Sequence, residues 1–323
     1  MPRLAIVIPA VGTAESLEAT LLAVLENRPH DCEIIAAANF DYADPYELAD
    51  EIRFVSVPSG VDLVACASAA IAVARSAVVH ILAAGCTVSE RWADRALEHF
   101  ADLSVGAVAP LIVHRDEHER VLAAGVDYRA GGGRRVRTKK LAKLTAAGPT
   151  AVFGVCAPAA FLRRSALEAV GGFSGDVGPQ LADVELAWAM RRAGYRTLLE
   201  PHAIVQAQAL PTAAISRFRQ GLYAERLFWR HAAEIGWFQA LAAHAGLVAW
   251  DMAAHFWQPS ACARLAGRFS AIADLRHHLV RRPAVPSDAE AEPMPSRHLR
   301  IDGDHAPRPG TRDKQSSRRM RSA

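Results

Sequence analysis

The sequence predicts an α/β fold: a mixed, mostly parallel sheet with helices on both faces. Three observations carry this expectation. Apolar runs such as "LAIVIPA" (4–10), "CEIIAAA" (32–38) and "VVHIL" (78–82) show no polar alternation, which marks strands buried on both faces. Helical segments rich in Ala and Leu separate the runs at the spacing of βαβ units. With 51% hydrophobic residues over 323 positions, the chain supplies the core of one large domain and an appendage.

The elements follow in order. After the first strand, residues 14–26 read as a helix, 32–38 as the second strand and "IRFVSV" (52–57) as the third. "LVACASAAIAVARS" (63–76) is helical, 78–82 is the fourth strand, and a helix at 90–100 leads to "VGAVAPLIV" (105–113). "AGGGRRVRTKKLAK" (130–143) reads as a mobile, basic loop. Residues 151–173 return to strand, turn and helix. "LADVELAWAMRRAGYRTLLEP" (181–201) is a strong helix, stopped at Gly194, followed by a short strand. Residues 213–278 read as consecutive helices. The expected domains are 1–208, a helical C-terminal extension at 209–282, and a tail at 283–323 that is disordered because apolar periodicity gives way to Pro and charge.

Composition excludes several classes. A net charge of +3 is too small to indicate a nucleic-acid partner. The five cysteines, scattered and without metal spacing, suit reduced thiols in a cytoplasmic protein. The uncharged stretch 235–250 is too short to span a bilayer. Its Trp237, Phe238 and Trp250 leave peripheral contact with the inner face of a membrane open. His80, inside an apolar strand, is expected to be a core histidine.

Several stretches together resemble the family 2 glycosyltransferases. "LAIVIPAVGTAESLEATLLAVL" is similar to that family's first strand and helix, and "ASAAIAVARS" to its Ala-Arg-Asn helix. "GGFSGDVGPQLADVELAWAMRRAGYRTLLEP" is the most specific match, and the resemblance covers about residues 3–208. It implies the GT-A fold, a nucleotide-sugar donor at the carboxyl ends of the first four strands, and attack by an acceptor hydroxyl with inversion. The acceptor class stays open between a glycan, a lipid-linked sugar and another hydroxyl compound, within polysaccharide or glycan assembly.

By position in that family, Asp183 is the catalytic base, which takes the acceptor's proton. Its competing role is a helix cap. Pro9, Ala10, Val11, Asn39, Ser68, Ala83, Ala84 and Gly85 fall at donor-site positions, and Gly172 and Phe173 on the acceptor side. The family's Asp-x-Asp motif is replaced by Ala83, Ala84 and Gly85. Mg2+ or Mn2+ would therefore lack its usual ligand pair, and no metal ligand is assigned. Transfer without metal needs another cation for the diphosphate; Arg134, Arg135, Arg137, Lys139 and Lys140 form a candidate lid. The alternative is a non-catalytic GT-A-like module that binds a sugar, nucleotide or protein partner.

Overall fold

The structure, a computed structural model, describes residues 3–211, 214–255 and 257–274; the expected disordered tail lies outside the described residues. The strands are β1 (Leu4–Ala10), β2 (Cys32–Ala38), β3 (Ile52–Ser56), β4 (Val78–Leu82), β5 (Thr87–Val88), β6 (Val105–His114), β7 (Val121–Ala123), β8 (Val126–Tyr128), β9 (Arg134–Val136), β10 (Thr150–Ala151), β11 (Ala159–Arg163) and β12 (Arg196–Ala207). The α-helices are α1 (Ala14–Asn27), α2 (Leu63–Val73), α3 (Asp94–Glu98), α4 (Leu141–Ala147), α5 (Arg164–Val170), α6 (Ala182–Arg192), α7 (Arg217–Ile235), α8 (Trp237–His255) and α9 (Pro259–Ala273).

The main sheet runs β10-β12-β6-β11-β4-β1-β2-β3, with β5 on β12 and β7 on β6. Pairs β1–β2, β2–β3, β1–β4 and β6–β12 are parallel, and β11 runs antiparallel between β4 and β6. β4 and β6 therefore end on the same edge. Both faces are covered, which explains why the strands show no polar alternation. In β1, Leu4, Ile6 and Ile8 pack with Leu17, Leu21 and Val24 of α1, while Ala5 and Val7 pack in a second cluster with Ala67 and Ala70 of α2. Thr13 and Asp62 cap α1 and α2 by accepting from Ser16 N and Ala65 N. His80 is fully buried and stacked on Phe161 at 3.8 Å, and burial lowers its pKa to about 3.

The passage expected to be a mobile loop is ordered. Residues 134–136 pair with β8 as a hairpin, and Gly132, at φ +99, supplies the left-handed turn that its sequence requires. The turn lies against the C-terminal helices: His244 Nδ1 of α8 donates to Gly131 O at 2.8 Å. A Cβ on Gly131 would come within 2.7 Å of Ala243 O, so only glycine fits. The helix expected at 90–100 is shorter, Asp94–Glu98, followed by one 3-10 turn.

Helices α7 and α9 cross at two glycines. A Cβ on Gly221 would sit 1.9 Å from Arg264 O, and one on Gly267 2.0 Å from Phe218 O. Alanine would gain ~1 kcal/mol of helix propensity at either site. The clash is with backbone, which no rotamer relieves, so the helices must part at a cost of ~1–3 kcal/mol or more. Gly221→Ala and Gly267→Ala are each expected to lower the urea midpoint of the full chain; an unchanged or raised midpoint would refute the close crossing.

Candidate active site

Asp183 stands in the first turn of α6 and is 2% exposed. Its carboxylate does not cap its own helix. It accepts from Arg134 of the β8–β9 hairpin: Nε to Oδ1 at 2.9 Å, Nη2 to Oδ2 at 2.6 Å and Nε to Oδ2 at 3.2 Å. Ala157 N also points at Oδ2, at 3.4 Å. The donors thus crowd Oδ2, and Oδ1 keeps more of its acceptor capacity for a proton. Burial works against the charge on Arg134, but the hydrogen bonds and charge of Asp183 hold the guanidinium above the usual arginine range. Beside them, burial and the Asp183 charge push the Cys156 thiol up to about 12, so Cys156 is a neutral wall and not a nucleophile.

Arg134 and Asp183 line a cavity of about 520 Å3. Its wall is largely apolar, with Leu63, Val136, Val177, Leu181 and Leu210 among its residues, and Gln180, Gln220, Tyr223 and Arg268 add polar groups. Asp183 is the single acidic residue among the described lining residues. α8 contributes Leu247 and α9 Arg268, so the C-terminal helices complete the chamber.

The remaining residues singled out in the sequence are distributed around this cavity and do not line it, apart from Arg134. At the β4 end, Ala83 N donates to Pro158 O at 2.8 Å, and Pro158 is part of the cavity wall. Ala84 N donates to Pro9 O and Asn39 N to Ala10 O, both at 3.1 Å, so these donor-position residues meet through backbone. The Asn39 side chain donates to Val61 O, and Val11 is exposed. Ser68 borders a second depression, of about 300 Å3, together with Gly172 and Phe173. In the basic passage, Arg137 pairs with Asp127, while Arg135, Lys139 and Lys140 are exposed.

Sequence reasoning passed over Arg115. It follows β6 directly, on the ligand edge of the sheet, where its position at a strand's carboxyl end was the available signal. Its Nη2 donates to Gly85 O at 2.9 Å, and its buried Nε has no hydrogen-bond partner. A guanidinium therefore stands beside the turn where the Asp-x-Asp carboxylates are replaced.

Glu185 is 6% exposed and joins α6 to α7. It accepts from Arg230 Nη1 at 2.8 Å and pairs with His231 Nε2 at 2.5 Å. Local sequence shows only that Glu185 lies on α6; the helix that covers it is 45 residues away.

Residues 63–227 match the sequence model of glycosyl transferase family 21. The chain belongs to glycosyltransferase family 21. The resemblance to family 2 thus led to the right class, a GT-A glycosyltransferase, and the matched block contains Asp183 and Arg134. Two solved structures similar to this glycosyltransferase carry the GT-A fold. GalNAc-T7 with UDP, GalNAc and Mn2+ aligns with a TM-score of 0.55 at 12% identity, over 71% of this chain and 48% of that one. The family 21 chain therefore spans about half the length of GalNAc-T7. The mannosyltransferase PcManGT from Pyrobaculum calidifontis, in complex with GDP-Man and Mn2+, aligns with a TM-score of 0.50 at 19% identity, over 84% of this chain and 88% of that one. At these identities the likeness speaks for the fold. No curated protein matches the sequence.

Proposed function

We propose that this glycosyltransferase moves one sugar from a nucleoside-diphosphate sugar to an acceptor hydroxyl, with inversion and Asp183 as base. The observation that carries the reading is a single buried carboxylate, held by Arg134, on the wall of a largely apolar cavity. A direct displacement needs only one base: the acceptor oxygen bonds to the anomeric carbon, the bond to the diphosphate breaks, and the acceptor's proton passes to Asp183. The donor class is supported by the fold neighbours, which hold UDP and GDP-Man.

The side chains at the β4 end do not fit a divalent ion. Ala83, Ala84 and Gly85 offer no side-chain oxygen, and no group of three His, Cys, Asp or Glu converges among the described residues. Charge on the leaving diphosphate then falls to arginine, with Arg115 beside that turn and Arg134 at the cavity. Arg135, Lys139 and Lys140 are exposed and free of ion pairs among the described residues, and they complete the proposed cationic cover. The apolar wall favours an acceptor with an apolar body, such as a lipid-linked sugar, over a bare glycan. Five free cysteines suit a cytoplasmic setting. We place the reaction at the inner face of a membrane.

The test is thermal shift against nucleoside diphosphates and their sugars, with and without Mn2+. A ligand at ~100 times its Kd adds ~2.7 kcal/mol to native-state stability. One nucleotide is expected to raise Tm equally in both conditions. A shift that requires Mn2+ would refute the metal-independent arm. No shift with any nucleotide would favour the non-catalytic, sugar- or protein-binding module.

A further inference from the structure

We propose that His244 is a positioning residue for the transfer step: as an imidazolium it clasps the hairpin that presents Arg134 to Asp183, and it releases that hairpin when it gives up a proton. The charge follows from the acceptors around the ring. Nδ1 faces Gly131 O at 2.8 Å, and Nε2 faces both oxygens of Glu225 at 3.1 Å. A carbonyl oxygen only accepts. Glu225 also only accepts, because Trp229 Nε1 donates to its Oε1 at 2.9 Å and Arg268 Nη1 to its Oε2 at 2.8 Å. A neutral imidazole has one N–H and one bare nitrogen, so it satisfies one side of this arrangement and opposes the other. The doubly protonated ring satisfies both.

The surroundings suit that charge. From α7, Glu225 supplies the counter-charge, and Phe228 stacks on the imidazole at 3.7 Å with 12° between the planes. A cation over an aromatic face is attracted by it. From α9, Arg268 reaches the same carboxylate. Tyr128 of β8 lies within range of the Glu225 charge, and its phenol, raised above its ordinary value mainly by burial, stays neutral. In the turn, Gly131 and Gly132 are buried and carry no charge, and Arg129 is exposed. Burial pushes Glu225 up, but the hydrogen bonds and charges of His244 and Arg268 hold it below the ordinary carboxylate range, so it stays ionised.

Loss of one proton breaks the clasp on a definite side. The remaining proton stays toward the carboxylate, because a charge-assisted hydrogen bond is stronger than a neutral one. Nδ1 then faces Gly131 O lone pair to lone pair, and a buried carbonyl is left without its donor. The turn moves off, and Arg134, on the strand that leaves it, draws away from Asp183. The consequence for transfer rests on the glycosyl-transfer reading; the clasp itself does not.

The test uses the full chain and two variants that each keep one half of the clasp. His244→Asn places an amide N–H near the position of Nδ1, for Gly131 O. His244→Gln places one near the position of Nε2, for Glu225. Neither side chain titrates. Trypsin cleavage after Arg135, an exposed residue of the hairpin, reads its opening by mass spectrometry. The scan runs from about pH 5.5 to about pH 9, either side of the range in which histidines ordinarily titrate. Rates are normalised to a peptide substrate at each pH, so the wild-type trend is readable without the variants. The Gln variant is expected to be cut ~10-fold or more faster than the Asn variant at every pH, the effect of one buried carbonyl losing its donor. Wild type should match Asn at the acid end and approach Gln at the alkaline end. A ring that merely fills space would leave the two variants alike. In nitrogen-15 spectra of histidine-labelled chain, the signals that both variants lose should show two protonated nitrogens at the acid end. Equal, pH-independent cleavage of all three proteins overturns the proposal, and so does a His244 ring with one bare nitrogen at the acid end. A clasp that passes both tests in a chain whose Tm responds to no nucleotide would sink glycosyl transfer and leave the clasp standing.

Discussion

Asp183→Asn is expected to lower kcat by ~100- to 10,000-fold, the usual contribution of a positioned general base. Asparagine keeps the shape of the side chain and an oxygen that accepts from Arg134 or Ala157 N, but it takes up no proton at neutral pH. Donor binding should persist, so the loss appears in kcat and not in the nucleotide Tm shift. The substitution also leaves Arg134, three-quarters buried on its side chain at 23% exposure, without its carboxylate. Some stability is therefore lost as well, and turnover must be measured well below the variant's Tm. Turnover within tenfold of wild type would remove Asp183 as base.

Arg230→Met is expected to destabilise the chain by up to ~3–5 kcal/mol, because it leaves the buried carboxylate of Glu185 with His231 as its remaining partner. Arg230 also holds Asp176, at 3.2 Å, so one guanidinium ties α7 to both α6 and the turn before it. The double variant Glu185→Leu, Arg230→Met should recover much of the loss, since two apolar groups replace two paired charges. A single-variant loss below ~1 kcal/mol in urea unfolding would show that the pair is solvated after all.

The same carboxylate sets a pH dependence. Burial pushes Glu185 up, but the hydrogen bond and charge of His231 and the charge of Arg230 outweigh it and hold the group down to about 2, from an ordinary value of 4.5. A depressed folded pKa stabilises above the unfolded value. The contribution is complete above about pH 4.5 and drains away as pH falls toward 2. Tm should therefore fall across that window in the wild type, and more shallowly in the double variant.

The parts of the fold legible in the sequence are those whose signal is local. β1, β2 and β4 show no polar alternation because helices cover both faces, and α6 is marked by its own periodicity and by Gly194 beyond its end. What was hidden depends on distant partners. Three glycines and a run of basic residues look like a loop, and nothing near them shows that His244, 113 residues on, fixes the turn. Asp183 was legible by its place in a family pattern. Its partner Arg134, 49 residues away, was grouped with neighbours in sequence that meet other surroundings. Arg115 was overlooked because a charge after a strand is common, and only the turn it touches gives it meaning.

The clasp between Gly131 and His244 bears on how such an enzyme is assembled and inherited. A chain ending at residue 208 would retain every strand of the sheet and the Asp183 carboxylate, and would still lack α7, α8 and α9. The hairpin that presents Arg134 would lose its anchor, and the chamber would lose Tyr223, Leu247 and Arg268 from its wall. The first 208 residues are thus not a portable cassette. A hybrid that swaps the sheet of one such transferase onto the helices of another would have to carry the hairpin and α8 across together.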